Sequence, residues 1–350
     1  MAKLEVTPAA GGKAFAVTAV LLALAGLAAA AATNILVDPR GEFPPDLFRP
    51  IVADTTAASL ARFQERQGPL ETLVLGSSRA SLLPPGPGGF NFAIQGGGLQ
   101  DDRLVYEYVR ANGPAPRRVV LGLDSFQLTA RDLRDIGIRR SATAPEIMGE
   151  PLDVGGWASR VMETLAYDYA LDSARDVYLT ATSGFDDPFM EIAADGRTAW
   201  ATDQELRDAG TFDLAPRLER SWRVHIGPRY PDDAVVDAAA VAEARSLIEE
   251  IRGDGVEVDV VLLPFHPEMM PHLEATPSFG PLQAAARQIG LDACGPGVSF
   301  SFYDFTELSS FGGVPDGFYD GYHMAPENSD LVAARMAAGE GDLCVTANAG

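Results

Sequence analysis

Short apolar runs alternate with helical segments along much of this chain, and this alternation restricts the fold more than any other feature. Strands are predicted at Glu71–Leu75, Arg118–Leu123, Val256–Leu263 and Val298–Phe302. Helices are predicted at Asp54–Gln67, Leu99–Ala111, Ala234–Arg252, Pro281–Gln288 and Pro326–Ala338. Continuous apolar strands between helices indicate a parallel sheet covered on both faces. We therefore expect a three-layer α/β fold with a mainly parallel sheet of about five strands, flavodoxin-like in order.

The segment from about residue 130 to residue 233 interrupts this alternation. It contains Trp157, Trp200 and Trp222 and many acidic residues, and its helical periodicity is weak. A structureless loop of this length is uncommon inside a compact domain, so we expect an insertion or a lid. Core packing is the expected role of the three tryptophans, and stacking on sugar rings is the alternative.

An uncharged run from Ala14 to Ala32 precedes the α/β pattern. At 1.5 Å per residue, a helix of this length spans roughly the 30 Å hydrocarbon core of a bilayer. Lys3 and Lys13 precede the run and acidic residues follow it, which predicts a cytoplasmic N-terminus and an exported remainder. The expected location is the inner (cytoplasmic) membrane, with a single pass and the α/β domain in the periplasm or outside the cell.

The same pattern divides the chain into segments. We expect a cytoplasmic tail at 1–13, a transmembrane anchor at 14–33, a linker with a first helix at 34–70, and an α/β domain at 71–345. An uncleaved anchor and a cleaved signal peptide ending in the alanines are both open, and in either case the rest of the chain is exported.

Negative charge predominates in the composition, with 49 acidic residues against 27 lysines and arginines. The formal net charge of -22 argues against a nucleic-acid partner, because neutralising phosphates requires clustered cations. No zinc motif, P-loop or dinucleotide fingerprint is present, so we expect neither a metal nor a cofactor. Cys294 and Cys344 would lie in a compartment where a disulfide persists, but a disulfide and two free thiols are equally compatible with the sequence.

Two distant segments carry the residues of a nucleophilic site. The first predicted strand ends in Gly76-Ser77-Ser78, at the sheet edge where parallel sheets bind ligands. Near the C-terminus, Asp320 precedes His323 by three residues. Serine, histidine and aspartate are the minimum set for nucleophilic acyl chemistry, because histidine accepts the hydroxyl proton and the carboxylate orients the ring. For Gly-Ser-Ser alone, a capping serine in a strand-to-helix turn is the alternative.

Three segments resemble those of the SGNH (GDSL-type) hydrolases. Gly76–Arg79, Gly-Ser-Ser-Arg, resembles the nucleophile segment, with Ser77 in place of the usual aspartate. Asn91–Gly96 resembles the second segment, whose glycine donates its N–H to the oxyanion hole. Asp320–His323 resembles the Asp-x-x-His segment near the C-terminus. The resemblance extends from residue 71 to about residue 338, interrupted by the expected insertion.

This resemblance implies a role for each matching residue. Ser78 would be the nucleophile, His323 the general base, and Asp320 the carboxylate that orients His323. The N–H groups of Ser78 and Gly96 would hold the oxyanion.

One element departs from the family's pattern. The third segment should end its strand in Gly-x-Asn, whereas this chain has Gly122-Leu123-Asp124. An ionised carboxylate would repel an oxyanion, so we expect Asp124 to be protonated, to point elsewhere or to bind a substrate hydroxyl. This departure disfavours a plain lipase or small-ester hydrolase.

Arg79 and His266 are further candidates for substrate binding. Arg79 follows the nucleophile and could bind an anionic polymer or pair with Asp124, and an arginine on a helix surface is the alternative. His266 follows the strand predicted at Val256–Leu263 and could line the cleft, and a loop histidine between two prolines is the alternative.

The apolar run, the Asp-Pro linker, Gly-Ser-Ser-Arg and Gly-Leu-Asp together are similar to exported SGNH-like proteins that modify cell-surface polymers. Examples are the alginate O-acetylation proteins and the D-alanyl transfer protein of teichoic acid synthesis. The resemblance implies a serine-dependent acyltransferase or esterase, with O-acetyl transfer as the expected reaction. Its partners would be a cell-surface polysaccharide and a membrane-embedded acyl exporter.

The competing hypothesis is a non-catalytic, polymer-binding or scaffold subunit of an export complex, with the acidic insertion as its docking surface. Asp124 in place of the asparagine favours this scaffold. The intact set of Ser78, Asp320 and His323 favours the enzyme, because a scaffold does not need all three.

Overall fold

The computed structural model describes residues 10–38, 54–134, 137–141, 143–149, 158, 161–162, 164–183, 190–295 and 299–347. The chain divides into two compact units. The first consists of Met1–Asp54 and Pro151–Asp187, and the second of Thr55–Glu150 and Pro188–Gly350. The start of the predicted tail, the Asp-Pro linker after Asp38, Trp157 and Val298 lie outside the described residues.

Helices and strands alternate through the second unit. Among the described residues, the helices are α1 (Ala10–Val37), α2 (Thr55–Gln64), α3 (Leu99–Asn112), α4 (Ala130–Arg134), α5 (Ala144–Met148), α6 (Tyr167–Ser183), α7 (Ala201–Asp208), α8 (Ala215–Arg220), α9 (Ala238–Gly253), α10 (Met270–Glu274), α11 (Phe279–Ala293), α12 (Leu308–Phe311), α13 (Pro326–Ala337) and α14 (Leu343–Ala347). The strands are β1 (Thr72–Gly76), β2 (Phe90–Asn91), β3 (Arg118–Gly122), β4 (Glu191–Ile192), β5 (Thr198–Ala199), β6 (Glu257–Leu262) and β7 (Phe300–Asp304).

The first unit contains α1 and α6. From Ala14 to Val37, α1 is long and apolar enough to cross a membrane, with a mean hydropathy of 2.3, although a signal sequence has the same properties. Near its end, Asn34 Nδ2 donates a hydrogen bond of 2.6 Å to the Thr164 carbonyl. The predicted apolar helix is therefore present, and its length and composition are compatible with association with a membrane.

The second unit is built on a five-stranded parallel sheet in the order β2-β1-β3-β6-β7. This confirms the predicted α/β fold and its flavodoxin-like strand order. The predicted strand positions are correct to within about two residues. β2 is only two residues long, and no apolar run predicted it.

Both faces of this sheet are buried, which explains the continuous apolar runs. On one face, Leu73 and Leu75 pack in a core with Val260 and with residues of α3, α9 and α11. On the other face, Val74 and Val261 pack against α13. Alternate residues of each strand point to opposite faces, so a strand covered on both sides is apolar at most positions, and Asp259 of β6 and Asn91 of β2 are buried exceptions.

Helix α9 begins four residues later than predicted, at Ala238 instead of Ala234. Asp237 caps it, because its carboxylate accepts hydrogen bonds from the N–H groups of Ala239 and Ala240. The apolar stripe that follows, from Ala240 to Ile251, faces the core.

Part of the predicted insertion belongs to the second unit. The β4–β5 hairpin contacts the sheet region, because Asn91 N–H donates to Asp195 O at 2.8 Å and Thr198 N–H donates to Ser81 O at 2.9 Å. α7, α8 and a π-helical turn at Ser221–Ile226 follow. Whether this segment acts as a lid stays a prediction.

Cys294 and Cys344 form a disulfide, with their Cα atoms 5.1 Å apart. Of the two alternatives left open by the sequence, the bonded pair is therefore the one observed. The bond ties α14 to the end of α11.

Candidate active site

The turn after β1 carries the candidate nucleophile. Gly76 has a φ of +136°, and a Cβ there would lie 2.9 Å from the Gly122 carbonyl oxygen, so only glycine fits at this point. Ser77 is 2% exposed, whereas Ser78 is partly exposed. Ser78 is thus the hydroxyl that a substrate can reach.

The predicted catalytic residues meet at the carboxyl end of β1, although Ser78 and His323 are 245 positions apart. His323 Nε2 lies 2.8 Å from Ser78 Oγ, and His323 Nδ1 lies 2.8 Å from Asp320 Oδ2. A proton on Nδ1, donated to Asp320, leaves Nε2 free to accept the Ser78 proton. The geometry is that of a serine activated by an oriented imidazole.

Asp320 is held in the ionised form that this chemistry requires. Burial by itself raises its pKa, but the charge and ring N–H of His323 and the backbone N–H groups of Tyr322 and His323 lower it below the usual value overall. Both N–H groups donate to Asp320 Oδ1 at 2.9 Å. An ionised carboxylate in this position would stabilise a positive charge on the imidazole of His323.

The loop Tyr319–His323 is supported from two sides. The Gly321 N–H donates to Ser221 Oγ at 3.1 Å, and the Gly321 carbonyl accepts from the His266 N–H at 3.0 Å. The Trp200 ring lies 4.6 Å from the His323 ring and stacks on Tyr319 at 5.6 Å. These contacts hold His323 in one orientation.

Asp124 and Arg79 form a buried ion pair, with 2.5 Å between Asp124 Oδ1 and Arg79 Nη1. The side chains are 2% and 3% exposed, and Ser77 donates its hydroxyl proton to the other carboxylate oxygen. Three alternatives were expected for Asp124: a protonated carboxyl, a carboxylate that points away from the oxyanion, or a contact with a substrate hydroxyl. The second fits this geometry best.

Arg79 reaches several elements at once. Its Nη2 donates to the carbonyls of Leu263 and Pro264 at 2.6 and 2.8 Å, and its guanidinium lies 3.9 Å from the centre of the Phe265 ring. The alternative of a helix-surface arginine is therefore wrong. Its partners come from distant parts of the chain that converge at this sheet edge.

The segment ending in Gly96 lies alongside the nucleophile turn, as the resemblance implied. Ser77 and Ile94 form a parallel bridge, and the Ile94 N–H donates to Gly76 O at 2.9 Å. Gly96 itself has a φ of +67°. The donation of its N–H, and that of Ser78, to an oxyanion stays a prediction.

His266 is 3% exposed and lies next to the loop Tyr319–His323, because its N–H donates to the Gly321 carbonyl. Its Nδ1 accepts a hydrogen bond of 3.2 Å from the Glu268 N–H, and its ring packs edge-on against Phe318. Burial lowers the pKa of this imidazole. Substrate binding by Arg79, Asp124 and His266 stays a prediction, and all three have partners within the protein.

Three residues near the site lie in the segment predicted as an insertion and were not predicted to contribute: Trp200, Ser221 and Arg229. The tryptophans were expected to pack in the core, and Trp200 packs against the loop that carries His323. A concentration of arginines between Arg217 and Arg229 was the one sequence signal available for Arg229.

Among the residues that the structure describes, no group of three or more His, Cys, Asp or Glu side chains could hold a metal ion. Comparison with known proteins gives no matching family model and no matching curated protein. Functional inference for this chain therefore depends on the geometry of the site.

Proposed function

We propose that the second unit is an SGNH-type serine acyltransferase or esterase that acts on a cell-surface polysaccharide, with O-acetyl transfer as its reaction. The observation that supports this is the hydrogen-bonded chain of Ser78, His323 and Asp320, with both side-chain contacts at 2.8 Å. The exposure of Ser78, next to the buried Ser77, supports the same role.

In this mechanism, Ser78 Oγ attacks the acyl carbonyl carbon while His323 Nε2 accepts the hydroxyl proton. The N–H groups of Ser78 and Gly96 stabilise the oxyanion of the tetrahedral intermediate. His323 then returns its proton to the leaving alcohol, which leaves an acyl group on Ser78. A sugar hydroxyl or water attacks this ester, with His323 again accepting the proton. When the second intermediate collapses, the bond between the acyl carbon and Ser78 Oγ breaks, and His323 returns the proton to Ser78 Oγ.

The proposed location is the outer side of the cytoplasmic membrane. The span Ala14–Val37 of α1 is apolar enough to cross a bilayer, and Lys3 and Lys13 precede this span. The Cys294–Cys344 disulfide fits an oxidising compartment. A polymer substrate and a membrane-embedded acyl exporter belong to this proposal by resemblance to the exported SGNH-like proteins.

A scaffold without catalysis is the second candidate. It is favoured by Asp124, whose carboxylate pairs with Arg79 where the SGNH pattern has an asparagine that donates to the oxyanion. Loss of one such donor costs roughly 10²–10³-fold in turnover in a serine protease.

Labelling of the full-length protein in detergent with a fluorophosphonate probe separates the two candidates. We expect an adduct on Ser78, located by mass spectrometry, that is lost in Ser78→Ala and in His323→Ala. Ser309→Ala is the matched control, because Ser309 is an exposed serine of α12. We expect the Ser309→Ala variant to keep the adduct on Ser78.

Two results would count against the enzyme. A folded wild-type protein that takes up no probe would favour the scaffold. Labelling that survives Ser78→Ala would show that the reactive hydroxyl has been wrongly assigned.

A further inference from the structure

The arginines of the second unit differ in their partners. In the part of this unit that the structure describes, most arginine side chains pair with a carboxylate, as expected in a chain with a net charge of -22. Arg220 and Arg223 are exposed and make no ion pair among the described residues. Arg131 Nη1 donates to the carbonyl oxygen of Pro228 at 3.0 Å. Arg220, Arg223 and Arg229 lie in one short segment, and of these three Arg229 pairs with a carboxylate, that of Asp132.

The π-helical turn Ser221–Ile226 places part of this segment against the loop Tyr319–His323. Ser221 Oγ accepts the Gly321 N–H, and the exposed His225 ring lies 5.8 Å from the Tyr322 ring. The Tyr322 ring in turn lies 3.8 Å from the ring of His323. π-helical turns occur frequently at functional sites, and this one brings His225 to the edge of the candidate active site.

Arg229 is held in place next to the segment that carries Gly96. Its Nη1 lies 3.3 Å from Asp132 Oδ1, and its guanidinium lies 4.2 Å from the centre of the Phe126 ring. A methyl group on Gly96 would lie 3.8 Å from Arg229 Nη2. A Cβ is two bonds from its own amide nitrogen, so Nη2 lies within about 6 Å of the Gly96 nitrogen.

The guanidinium of Arg229 is only partly engaged. Its side chain is 29% exposed, and Asp132 is bound through Nη1. Guanidinium groups carry five N–H donors in a planar fork that fits a carboxylate. Nη2, on the Gly96 side, is therefore positioned to bind an anion that enters the site.

We propose that Arg229 and His225 form an anion-binding subsite at the mouth of the active site, which takes the carboxylate of an acidic sugar next to the acylated one. This proposal rests on the proposed function for the role of Ser78. It adds that the substrate is an acidic polysaccharide. At physiological ionic strength, charges more than about 8 Å apart are largely screened. The net negative charge carried by distant parts of the chain therefore has little effect on an anion at this subsite.

Binding to the full-length protein in detergent tests this subsite without requiring turnover. The parent is the Ser78→Ala variant, and the probes are an oligomer of galacturonic acid and a neutral galactose oligomer of the same length. Calorimetry should show that the acidic oligomer binds more tightly. Arg229→Gln should raise its Kd about tenfold to a hundredfold, the effect of losing a hydrogen bond to a charged group.

Arg223→Gln is the matched control. It removes the same charge from the preceding turn, and Arg223 lies midway between Ser221 and His225, on the side of that turn away from both. We expect its Kd for the acidic oligomer to stay within about twofold of the parent value.

Three outcomes would overturn the subsite: no binding of the acidic oligomer to the parent, equally tight binding of the neutral oligomer, or an unchanged Kd in Arg229→Gln. A fourth outcome concerns turnover by Arg229→Gln in a protein that retains Ser78. If this variant loses turnover equally on neutral 4-nitrophenyl acetate and on an acidic ester, Arg229 contacts the oxyanion and not a substrate carboxylate. The proposed function can fail while the subsite stands. If the acidic oligomer binds in a way that depends on Arg229, but the fluorophosphonate probe does not label Ser78 in the wild type, the subsite is supported and the enzyme is not.

Discussion

Replacing Asp124 by asparagine distinguishes the observed ion pair from the role that the sequence pattern suggests. In SGNH hydrolases an asparagine at this position donates to the oxyanion, so the pattern alone predicts that Asp124→Asn improves catalysis. The structure predicts a different result, because Asp124 binds Arg79 and Ser77. We expect Asp124→Asn to destabilise the second unit and to add no activity.

The size of the loss follows from the burial of the pair. An asparagine can keep both hydrogen bonds, with Oδ1 facing Arg79 and Nδ2 facing Ser77 Oγ, so the change removes charge and little else. The Arg79 side chain is 3% exposed, and removing one partner of a buried ion pair costs about 3–5 kcal/mol. Arg79 keeps two carbonyl partners and the Phe265 ring. We therefore expect a loss near 3 kcal/mol, which is about a hundredfold in the unfolding equilibrium.

Urea unfolding of the full-length protein in detergent, followed by tryptophan fluorescence, measures this loss as a lower midpoint at an unchanged slope. Asp203→Asn is the matched control. Asp203 is equally buried, but its partner Arg217 is 32% exposed and stays hydrated when the carboxylate is neutralised. Burial also raises the pKa of Asp203. We expect this control to cost at most about 1 kcal/mol.

Either of two results would refute the reasoning. Equal losses in Asp124→Asn and Asp203→Asn would show that an uncompensated Arg79 charge is not the cause. An unchanged midpoint together with faster turnover of 4-nitrophenyl acetate would show that residue 124 faces the oxyanion instead of Arg79.

Two further predictions concern stability. Replacing both Cys294 and Cys344 by serine should lower the free energy of unfolding by about 2–4 kcal/mol, because the disulfide closes a long loop in the unfolded chain. Reductant should reproduce this loss in the wild type and leave the double variant unchanged, and a response of the double variant would contradict the assignment. Burial raises the pKa of Asp259 to about 6 in the folded protein. The folded state therefore binds this proton more tightly than the unfolded state, and the resulting gain in the free energy of unfolding is lost as pH rises from about 4 through 6. Asp259→Asn should therefore raise stability by about 3 kcal/mol at pH 8 and leave it unchanged near pH 4, and an equal gain at both pH values would contradict this origin.

The sheet was predictable because its strands are buried on both faces. Leu73, Val74 and Leu75 are each at most 1% exposed, so the run has no polar interruption and its type is clear from the sequence. β2 gave no such signal, because two residues cannot show a period. Its place at the sheet edge depends on pairing with β1, which local sequence does not encode.

The core of the site was predictable from short motifs, but its surroundings were not. Ser78 and His323 were recognisable because each lies in a compact pattern next to a regular element. Trp200 and Arg229 lie in a segment with weak periodicity, and each approaches the site through contacts with distant residues. A helix-surface position was one of the alternatives for Arg79, whereas the residue is buried. Its partners Asp124 and Tyr322 lie 45 and 243 positions away, so the local sequence could not show that they would enclose it.

The ion pair also bears on the choice between enzyme and scaffold. An asparagine at position 124 would leave Arg79 as a buried cation without a counter-charge, so the aspartate and the arginine after the nucleophile belong to one arrangement. That arrangement joins the ends of β1, β3 and β6 and reaches the Tyr322 carbonyl, so it supports the loop that carries His323. A scaffold has no need to hold His323 at 2.8 Å from a partly exposed serine. An enzyme with two backbone donors to the oxyanion would be slow on free esters, but a polymer held beside Ser78 reacts at a high effective concentration, which offsets part of that loss.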